Sequence, residues 1–490
     1  MIRAVNALFM MTYFDPDEYW QTIEVAHRQV FGYGWLTWEW RVGLRSYLYL
    51  VPFMAYFWML KIFKLDEHAI LLVFGPKLLQ AVMAATVDYL TYQLALRVSK
   101  NRKVAEASLF LSLVNYFNLA YATRTISNNF ESLLTLITVL HWPIEETEVK
   151  TLRLIYCFLL IGLNVLNRPS SVIQWLVPII LLFYRNLCGV GQRLRVLLSV
   201  LFLIPFVISI GILIDMLFYK RFMFSWWNFF KVNVMEKVSE FYGISSWHYH
   251  FTTSLPTLLG SMIPLVVLSL LFEQYSVWIL QFLISSLLFN SMLAHKEIRF
   301  VYPLMPYLMV LAGQGYRILV SATIATRLRW FTRIYLLFML LTNVGIGIYL
   351  ARYHQSGVIR VMDHLREEAD KGSLQGIYFA MPCHSTPFQG YLHRPWVAMN
   401  FVTCEPPLDG QSSKDYLDES DRFYKDPAAY LYKHLPTSTT HLVMYEELLE
   451  RSGVCWFLQS RKLKECYRIF NSHFNADRRR TGDVLVYCRD

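Results

Sequence analysis

Three carboxylates lie close together near the start of the chain, in the string DPDEYWQ: Asp15, Asp17 and Glu18. A carboxylate beside an apolar segment can act as a general base, and an acid at the start of a helix can equally act as a cap. Capping accounts for Asp15, because Pro16 suits the first helical position and Glu18 completes a signature like a capping box. Capping does not require Asp17, which is therefore the stronger candidate for chemistry.

The residues that follow predict the helix that would position these acids. Apolar residues recur at helical spacing from Tyr19 onward, until Gly32 and Gly34 end the run. A wide aromatic surface accompanies this helix, and such a surface suits sugar recognition and a membrane–water interface equally well. Its members are Tyr19, Trp20, Trp35, Trp38 and Trp40.

Ionisable side chains also interrupt apolar stretches further along, where they are costly and therefore mark functional candidates. Lys77 and Asp88 share one stripe of a predicted helix but lie too far apart along it to pair, so each needs another partner. Arg124, Asn128 and Glu131 are spaced i, i+4 and i+7, which predicts one shared helical face. The alternative for all of them is a purely structural role inside a helix bundle.

The densest charged group between apolar segments is HKEIRF, which contains His295, Lys296, Glu297 and Arg299. Snorkelling at a helix end does not require so many charges in so few positions. Because Arg and Lys are natural partners of a phosphate group, this string predicts a phosphate-binding site. Arg168, which precedes a proline in NRPSS, is better explained by snorkelling or by a structural ion pair.

Other kinds of site are not expected. The sequence contains no GxGxxG or Walker-type phosphate loop, so nucleotide binding is not predicted. Five of the seven cysteines lie in the C-terminal part, and their spacing matches no zinc pattern, so no metal site is predicted. A disulfide-permissive lumen and free thiols are equally consistent with these cysteines, which are Cys383, Cys404, Cys455, Cys466 and Cys488.

The composition predicts the class of protein. The 490 residues are 55% hydrophobic and 17% charged, whereas soluble domains carry about 25% charged residues. Apolar stretches of ~20 residues cover much of 46–351, and 352–490 is polar. We therefore predict a polytopic α-helical membrane protein of about ten or more spans, with its catalytic region at 1–351 and a soluble C-terminal α/β domain at 352–490. The net charge of +10 is assigned to cytoplasmic loops rather than to nucleic acid, because Lys and Arg cluster between apolar runs.

The charge pattern also predicts the topology of the first spans. A basic run at 97–103 should be cytoplasmic, and the acidic loop 15–45 should face the opposite side. Only an odd number of crossings fits between them, so 69–98 is predicted to span and 46–64 to lie in the interface or re-enter. Further apolar segments fall at about 104–122, 126–142, 152–166, 171–186, 194–218, 256–272, 277–293, 299–318 and 329–351.

Several of these strings resemble a known family of membrane glycosyltransferases. The first loop, with PDEYWQ, EVAH and VFGYGWLTWEW, resembles the first lumenal loop of the polytopic, dolichyl-phosphate-mannose-dependent α-mannosyltransferases of GT-C type (glycosyltransferase family 22). TRTISNNFE, NRPSS, FYGISSWHYHF and HKEIRFVYP extend the resemblance along most of the chain. MPCHSTPF and DESDRFYKDP resemble the branch that builds glycosylphosphatidylinositol (GPI) anchors rather than the lipid-linked oligosaccharide branch.

The resemblance implies transfer of mannose from dolichyl phosphate mannose to the 2-hydroxyl of the second mannose of a GPI precursor. It places the protein in the endoplasmic reticulum membrane with a lumenal active site. The implied partners are dolichyl phosphate mannose, the GPI glycolipid and membrane lipid, with no nucleic acid and no required cofactor. A β-linked donor and an α-linked product require inversion, and one base suffices because dolichyl phosphate leaves readily.

Roles for the candidate residues follow from this chemistry. Asp17 is expected to be the base, with Glu18 as its orienting neighbour or as the alternative base. The residues expected to bind the donor phosphate are His295, Lys296, Arg299 and Arg124. The residues expected to support them, or to stabilise the bundle, are Lys77, Asp88, Glu131 and Arg168. A metal ion is not required, because basic side chains can replace its charge.

Two other classes of function fit part of these observations. A transporter or scramblase also uses acids and bases inside a helical bundle, but it gives no reason for an acidic, tryptophan-rich loop outside the membrane. A non-catalytic scaffold would use the same motifs as binding surfaces. The nearest alternative is the same chemistry on a lipid-linked oligosaccharide.

Overall fold

Helices dominate the computed structural model, which describes residues 1–143, 150–186, 190–272, 277–322, 329–408 and 416–489. The first eleven α-helices are α1 (Ile2–Phe9), α2 (Glu24–Phe31), α3 (Trp38–Val42), α4 (Val51–Phe63), α5 (Ala69–Ser99), α6 (Arg102–Val114), α7 (Tyr116–Tyr121), α8 (Ser127–His141), α9 (Thr151–Asn167), α10 (Leu176–Leu181) and α11 (Val190–Tyr219). The next eleven are α12 (Ser225–Phe230), α13 (Leu255–Leu259), α14 (Ile263–Phe272), α15 (Val277–Met292), α16 (Met305–Ala322), α17 (Arg329–Arg352), α18 (Gly357–Asp370), α19 (Gln389–Leu392), α20 (Glu419–Lys425), α21 (Pro427–His434) and α22 (Val454–Ser460).

Shorter helical segments connect several of these elements. The π-helical turns are Tyr19–Ile23, Leu182–Asn186, Lys231–Met235 and His250–Ser254. The 3₁₀ segments are Tyr47–Leu50, Pro169–Trp175, Val238–Tyr242, Gly260–Met262, Ile298–Leu304, Glu446–Glu450 and Arg478–Arg480.

Within the described residues, four helical stretches are long and apolar enough to cross a membrane by length and composition: Ala69–Ser99, Arg193–Tyr219, His250–Phe272 and Arg329–Asp370. The first of them agrees with the span predicted at 69–98. The segment predicted at 46–64 contains a shorter apolar helical stretch, Tyr47–Phe63. That this segment lies in the interface or re-enters stays a prediction. The other shorter apolar stretches are Thr151–Asn167, Pro169–Tyr184 and Ile279–Met292.

Several of the predicted apolar segments are not single α-helices, and in two of them the cause is a single residue. The segment at 104–122 is two helices, because Asn115 leaves the helical conformation (φ −58°, ψ 127°) and its side chain accepts the backbone N–H of Asn118, which caps α7. The segment at 299–318 begins as a 3₁₀ turn that contains Pro303, and α16 starts only at Met305. A proline removes a backbone donor, which explains why the regular helix is delayed.

The C-terminal part contains a five-stranded mixed sheet, in agreement with the predicted α/β character of this part. Strands β1 (Gly376–Ala380), β2 (Ala398–Phe401), β3 (His441–Tyr445), β4 (Leu463–Ile469) and β5 (Val484–Arg489) are ordered β2-β1-β3-β5-β4. Strand β1 is parallel to β2 and β3, whereas β5 is antiparallel to β3 and β4. That this part is soluble stays a prediction.

The two faces of the sheet enclose different apolar clusters, since successive side chains of a strand point to opposite faces. On β3, Val443 and Tyr445 join a cluster with helix α18 and with Trp20. Leu442 and Met444 join a second cluster that includes residues of α21 and α22. Both faces of the sheet are therefore covered, which explains why β1 and β3 are buried along their whole length.

Backbone contacts divide the chain into two units. The first unit comprises Met1–Asn6, Val42–Tyr49 and Leu78–Ile348, and its core is a large apolar cluster of the helix bundle. The second unit comprises Ala7–Arg41, Leu50–Lys77 and Tyr349–Asp490, and it contains the sheet. The predicted first loop thus contributes mainly to the second unit.

Candidate active site

The first of the three acids caps the helix that carries the other two. The carboxylate of Asp15 accepts the backbone N–H of Asp17 at 2.9 Å. The helix continues through the π-helical turn Tyr19–Ile23 into α2 and ends at Gly32, whose backbone is left-handed (φ +91°). The predicted cap and the predicted end of the helix are confirmed, while the π-helical turn, a feature frequent at functional sites, had no signal in the sequence.

The two remaining acids differ in exposure. Glu18 is fully buried, with 0% of its surface exposed, whereas Asp17 is only partly buried. A general base must come within hydrogen-bond reach of the hydroxyl that it deprotonates. Accessibility therefore favours Asp17 over Glu18 as the candidate base.

The predicted aromatic surface is mostly interior. Tyr19, Trp20, Trp38 and Trp40 are all at most 5% exposed. The ring of Trp20 packs 4.8 Å from that of Phe401, and its indole N–H donates to a backbone carbonyl. These four rings are therefore packed inside the protein instead of forming an open sugar-binding or membrane-facing wall.

A further buried carboxylate, Glu24, was not singled out in the sequence. One of its oxygens accepts the backbone N–H of Trp35 at 2.8 Å, and the other accepts that of Gly390 at 2.6 Å. Burial raises the pKa of Glu24 to about 7, although these two hydrogen bonds oppose the rise. The available signal was an acid four residues after Trp20, and therefore on the same helical face.

Lys77 and Asp88 have different partners, as expected from their separation. In the second unit, the buried ammonium of Lys77 donates to the carbonyl of Met10 at 3.2 Å. In the first unit, the guanidinium of Arg3 binds both oxygens of Asp88, at 2.7 and 3.0 Å, and Ser112 adds a third hydrogen bond at 2.8 Å. Sequence reasoning missed Arg3, which lies in the short apolar N-terminus without any local sign of a partner. This pairing supplies the partner that Asp88 was expected to need.

The prediction that Arg124 shares a helical face with Asn128 and Glu131 is wrong. Helix α8 begins only at Ser127, because Ile126 has an extended backbone (φ −119°, ψ 136°). Arg124 therefore lies in the turn before the helix. It is 1% exposed, and its Nε donates to the carbonyl of Ala120 at 2.6 Å.

Glu131 and Arg168 form an ion pair at 3.0 Å, the kind of contact expected from the structural role predicted for Arg168. The same guanidinium donates to the side-chain oxygen of Asn128 at 3.2 Å. The amide nitrogen of Asn128 in turn donates to the backbone carbonyl of Arg299 at 3.0 Å. A chain of polar contacts thus runs from this ion pair to the backbone of a predicted phosphate ligand.

Glu297 joins two of the predicted phosphate ligands. Its carboxylate accepts a hydrogen bond from His295 at 2.9 Å and pairs with the guanidinium of Arg299. The hydrogen bond to Glu297 raises the pKa of His295 above its usual value. Burial alone would raise the pKa of Glu297, but Arg299 and His295 outweigh burial and hold that pKa well below its usual range. Two cations of HKEIRF therefore contact a single carboxylate.

Two motifs of the sequence meet at this group. Lys296 is buried and donates to the carbonyls of Ser245, at 2.9 Å, and Leu293. His295 Nδ1 lies 2.9 Å from the carbonyl of Gly243. Gly243 has φ +112° and ψ 148°, a conformation that only glycine adopts readily. FYGISSWHYHF therefore holds HKEIRF through backbone carbonyls, a role that its side chains do not reveal.

The predicted site residues divide between the two units. Asp17, Glu18 and Lys77 belong to the second unit. The residues of the first unit are Asp88, Arg124, Glu131, Arg168, His295, Lys296 and Arg299. Within the described residues, one group has donor atoms close enough for a metal ion, formed by Cys383, His384 and Cys404. Its two sulfurs are joined in a disulfide, which accounts for their proximity without a metal.

Comparisons with known proteins agree along the whole chain. The family model described as the Alg9-like mannosyltransferase family matches residues 1–393. The chain is 33% identical to "GPI alpha-1,2-mannosyltransferase 3" of Homo sapiens, covering 100% of this chain and 85% of that protein. It is 34% identical to "GPI mannosyltransferase 3" of Yarrowia lipolytica, covering 99% of this chain and 95% of that protein.

Solved structures share the fold at low sequence identity. The structure of ArnT from Cupriavidus metallidurans bound to undecaprenyl phosphate matches with a TM-score of 0.56 at 11% identity, covering 99% of this chain and 95% of that one. The arabinofuranosyltransferase AftD from Mycobacteria matches with a TM-score of 0.50 at 12% identity, covering 99% of this chain and 39% of that one. The fold is therefore that of the GT-C glycosyltransferases, as predicted.

Proposed function

This chain belongs to the Alg9-like mannosyltransferase family, and we propose that it adds an α-1,2-linked third mannose to a two-mannose GPI precursor, with dolichyl phosphate mannose as donor. The observation that carries the proposal is the match to GPI mannosyltransferases over 99–100% of the chain. Family membership alone makes the protein a glycosyltransferase. The donor and the acceptor are the proposed part.

In the proposed reaction, Asp17 takes the proton from the 2-hydroxyl of the acceptor mannose. The hydroxyl oxygen attacks the anomeric carbon of the donor from the face opposite the phosphate, and the bond to the phosphate oxygen breaks. The configuration inverts from β to α. No second carboxylate is needed as an acid, because dolichyl phosphate is a good leaving group. The partial exposure of Asp17 and the complete burial of Glu18 support this assignment.

The charge that develops on the departing phosphate is assigned to the cations of HKEIRF. Arg299 supplies a planar fork of N–H donors and His295 an imidazole whose pKa is raised by Glu297, and both are already oriented by Glu297. Lys296 and Arg124 add positive charge to the same proposed role. These side chains supply the charge themselves, so the proposal includes no metal ion and no cofactor.

We place the reaction on the lumenal side of the endoplasmic reticulum membrane. Two disulfides in the C-terminal part, Cys383–Cys404 and Cys466–Cys488, support this side, because disulfides persist in oxidising compartments. Glycosylation sequons added at exposed positions of the C-terminal part should be used in cells. Unmodified sequons at several such positions would contradict the lumenal placement.

Precursor analysis in cells tests the whole proposal. Cells that lack this protein are complemented with the wild type or with Asp17→Asn at equal expression, and their GPI precursors and lipid-linked oligosaccharides are separated. The expected result is a two-mannose GPI precursor that only the wild type removes. Full rescue by Asp17→Asn would contradict the assignment of Asp17 as the base.

The same experiment distinguishes the alternatives. Normal GPI precursors together with shortened lipid-linked oligosaccharides would assign the enzyme to the other pathway. No change in either pool would contradict both acceptors.

A further inference from the structure

One face of the acidic helix is docked along its length by a distant segment of the second unit. The indole N–H of Trp20 donates to the carbonyl of Thr386 at 2.8 Å. Glu24 accepts the N–H of Gly390 at 2.6 Å, and the imidazole Nε2 of His27 lies 2.8 Å from Nδ1 of His393.

These three contacts share one register. Each joins residues that are 366 positions apart in the chain. Trp20, Glu24 and His27 are spaced i, i+4 and i+7, so they lie on one face of the helix. The helix and the distant segment therefore run side by side in the same direction, with a contact at about every turn.

The docking is also close. A Cβ atom at Gly390 would lie 3.1 Å from the carboxylate of Glu24 and 3.1 Å from the side chain of Ile23. The ring of Trp20 packs 4.4 Å from that of His384 and 5.1 Å from that of Phe388. Such contacts leave little room for the helix to shift without moving the segment.

Both ends of the segment are anchored elsewhere in the second unit. At its start, the disulfide Cys383–Cys404 ties it to the chain that follows strand β2. Just past its end, the guanidinium of Arg394 binds both carboxylate oxygens of Asp370 at the end of α18, at 2.6 and 3.1 Å. The segment is therefore fixed to the sheet and to a helix that packs on the sheet.

We propose that residues 383–393 are a clamp that sets the position of Asp17, with Trp20, Glu24 and His27 as the positioning residues. Asp17 lies one turn before Trp20 on the same helix. A shift of the contact between Trp20 and Thr386 would therefore also move the carboxylate of Asp17. A general base needs placement within ~0.5 Å, and a displacement of about 1 Å can cost on the order of 100-fold in rate. The inference rests on the proposed role of Asp17 as the base.

A pair of disulfides provides the matched test. Cys383–Cys404 anchors the clamp, whereas Cys466–Cys488 joins the neighbouring strands β4 and β5. Their sequence separations are 21 and 22 residues, so loop closure predicts nearly the same stabilisation from each. The double variants Cys383→Ser/Cys404→Ser and Cys466→Ser/Cys488→Ser should therefore lose equal stability.

The measurement is mannose transfer by the purified full-length protein, from dolichyl phosphate mannose to a synthetic two-mannose GPI glycolipid. The clamp variant should lose at least tenfold in kcat with both KM values within twofold, while the control keeps its kcat within twofold. The melting temperature should fall by the same amount in the two double variants. Equal kcat in the two double variants, or losses that follow stability alone, would overturn the clamp.

A second pair of variants covers the case in which the clamp variant does not fold. Gly390→Ala places a methyl group against the helix, whereas Gly345→Ala places one where no atom lies within 4 Å. Gly390→Ala should lower kcat at least threefold and Gly345→Ala should not, and equal kcat would overturn the inference. Asp17→Asn is measured alongside: full transfer by that variant would contradict the proposed function itself. An inactive Asp17→Asn together with unaffected clamp variants would contradict the clamp alone.

Discussion

The acidic helix, which carries the proposed base, and the HKEIRF group, which carries the proposed phosphate ligands, are held in opposite ways. The helix is supported from behind by backbone and ring contacts with residues 366 positions away, and Asp17 itself stays partly exposed. HKEIRF is held by its own charges and by nearby carbonyls, with Glu297 between His295 and Arg299. A base must be immobile and accessible, whereas a phosphate ligand must be able to exchange one anion for another. The two modes of support match these two tasks.

The largest effect should come from removing the base. Asp17→Asn keeps the size and the helix start but cannot take a proton, so kcat should fall by about 10²–10⁴-fold. Glu18→Gln is the control, because a buried neighbour that only orients Asp17 should cost far less. Transfer assays on both purified variants check this. A larger loss in Glu18→Gln than in Asp17→Asn would reverse the assignment.

The stability of the protein should depend on pH through Glu24, which joins the acidic helix to Gly390. Its pKa is about 7 in the folded protein, raised by burial from an ordinary value of 4.5, so between these values the folded state holds a proton that the unfolded chain has released. This contribution to the free energy of unfolding is complete below pH 4.5 and is lost as the pH rises through 7. The contribution of the raised pKa of Glu24 to the free energy of unfolding is about 3 kcal/mol.

Glu24→Gln provides the comparison, since glutamine is neutral at every pH. Thermal unfolding of both proteins is measured from pH 5 to pH 8. The wild type should lose stability relative to the variant as the pH rises. Parallel curves would show that Glu24 does not titrate in this range.

Substitutions in HKEIRF should weaken binding of the donor. Arg299→Lys keeps the charge but loses the planar fork, and we expect KM for the donor to rise about tenfold or more, with KM for the acceptor unchanged. Steady-state kinetics with each substrate varied in turn checks this split. A change confined to the acceptor KM would contradict the assignment of HKEIRF to the phosphate.

The smallest effect is expected where support reaches Arg299 indirectly. Asn128 connects the Glu131–Arg168 pair to the backbone carbonyl of Arg299. Asn128→Ala removes its hydrogen bonds to Arg168 and to the carbonyl of Arg299. The bond to the Arg299 carbonyl contributes about 1 kcal/mol, so KM for the donor should rise about threefold to tenfold. In the double variant with Arg299→Lys, Asn128→Ala should raise KM for the donor less than it does in the wild type, because both substitutions act on the contact between residue 299 and the phosphate. Full additivity in this double-mutant cycle would contradict the connection.

Local features of the fold were predictable because their causes are local. The cap at Asp15, the stop at Gly32 and the apolar stretch at 69–98 each depend on residues within a few positions of one another. The helical face predicted for Arg124, Asn128 and Glu131 was wrong although its cause is also local. The extended backbone of Ile126 separates residues whose spacing suggested one helix.

The family was also readable from the sequence, because its motifs are short strings of specific residues. The comparisons confirm that resemblance, with the family model over residues 1–393 and with curated relatives over 99–100% of the chain. The strings did not indicate what each does in the fold, however. FYGISSWHYHF supplies carbonyls to HKEIRF, and MPCHSTPF forms the start of the segment that docks on the acidic helix.

The sequence by itself determined the membrane class, the family, the acidic helix and the identity of its base candidate. Only the tertiary structure decided the partners: Arg3 for Asp88, Gly390 for Glu24, and the paired registers of the helix and the clamp. The reason is physical. A helix cap forms between neighbours in the chain, whereas a buried charge or N–H must be satisfied by whatever group the fold brings to it, and nothing local specifies that group.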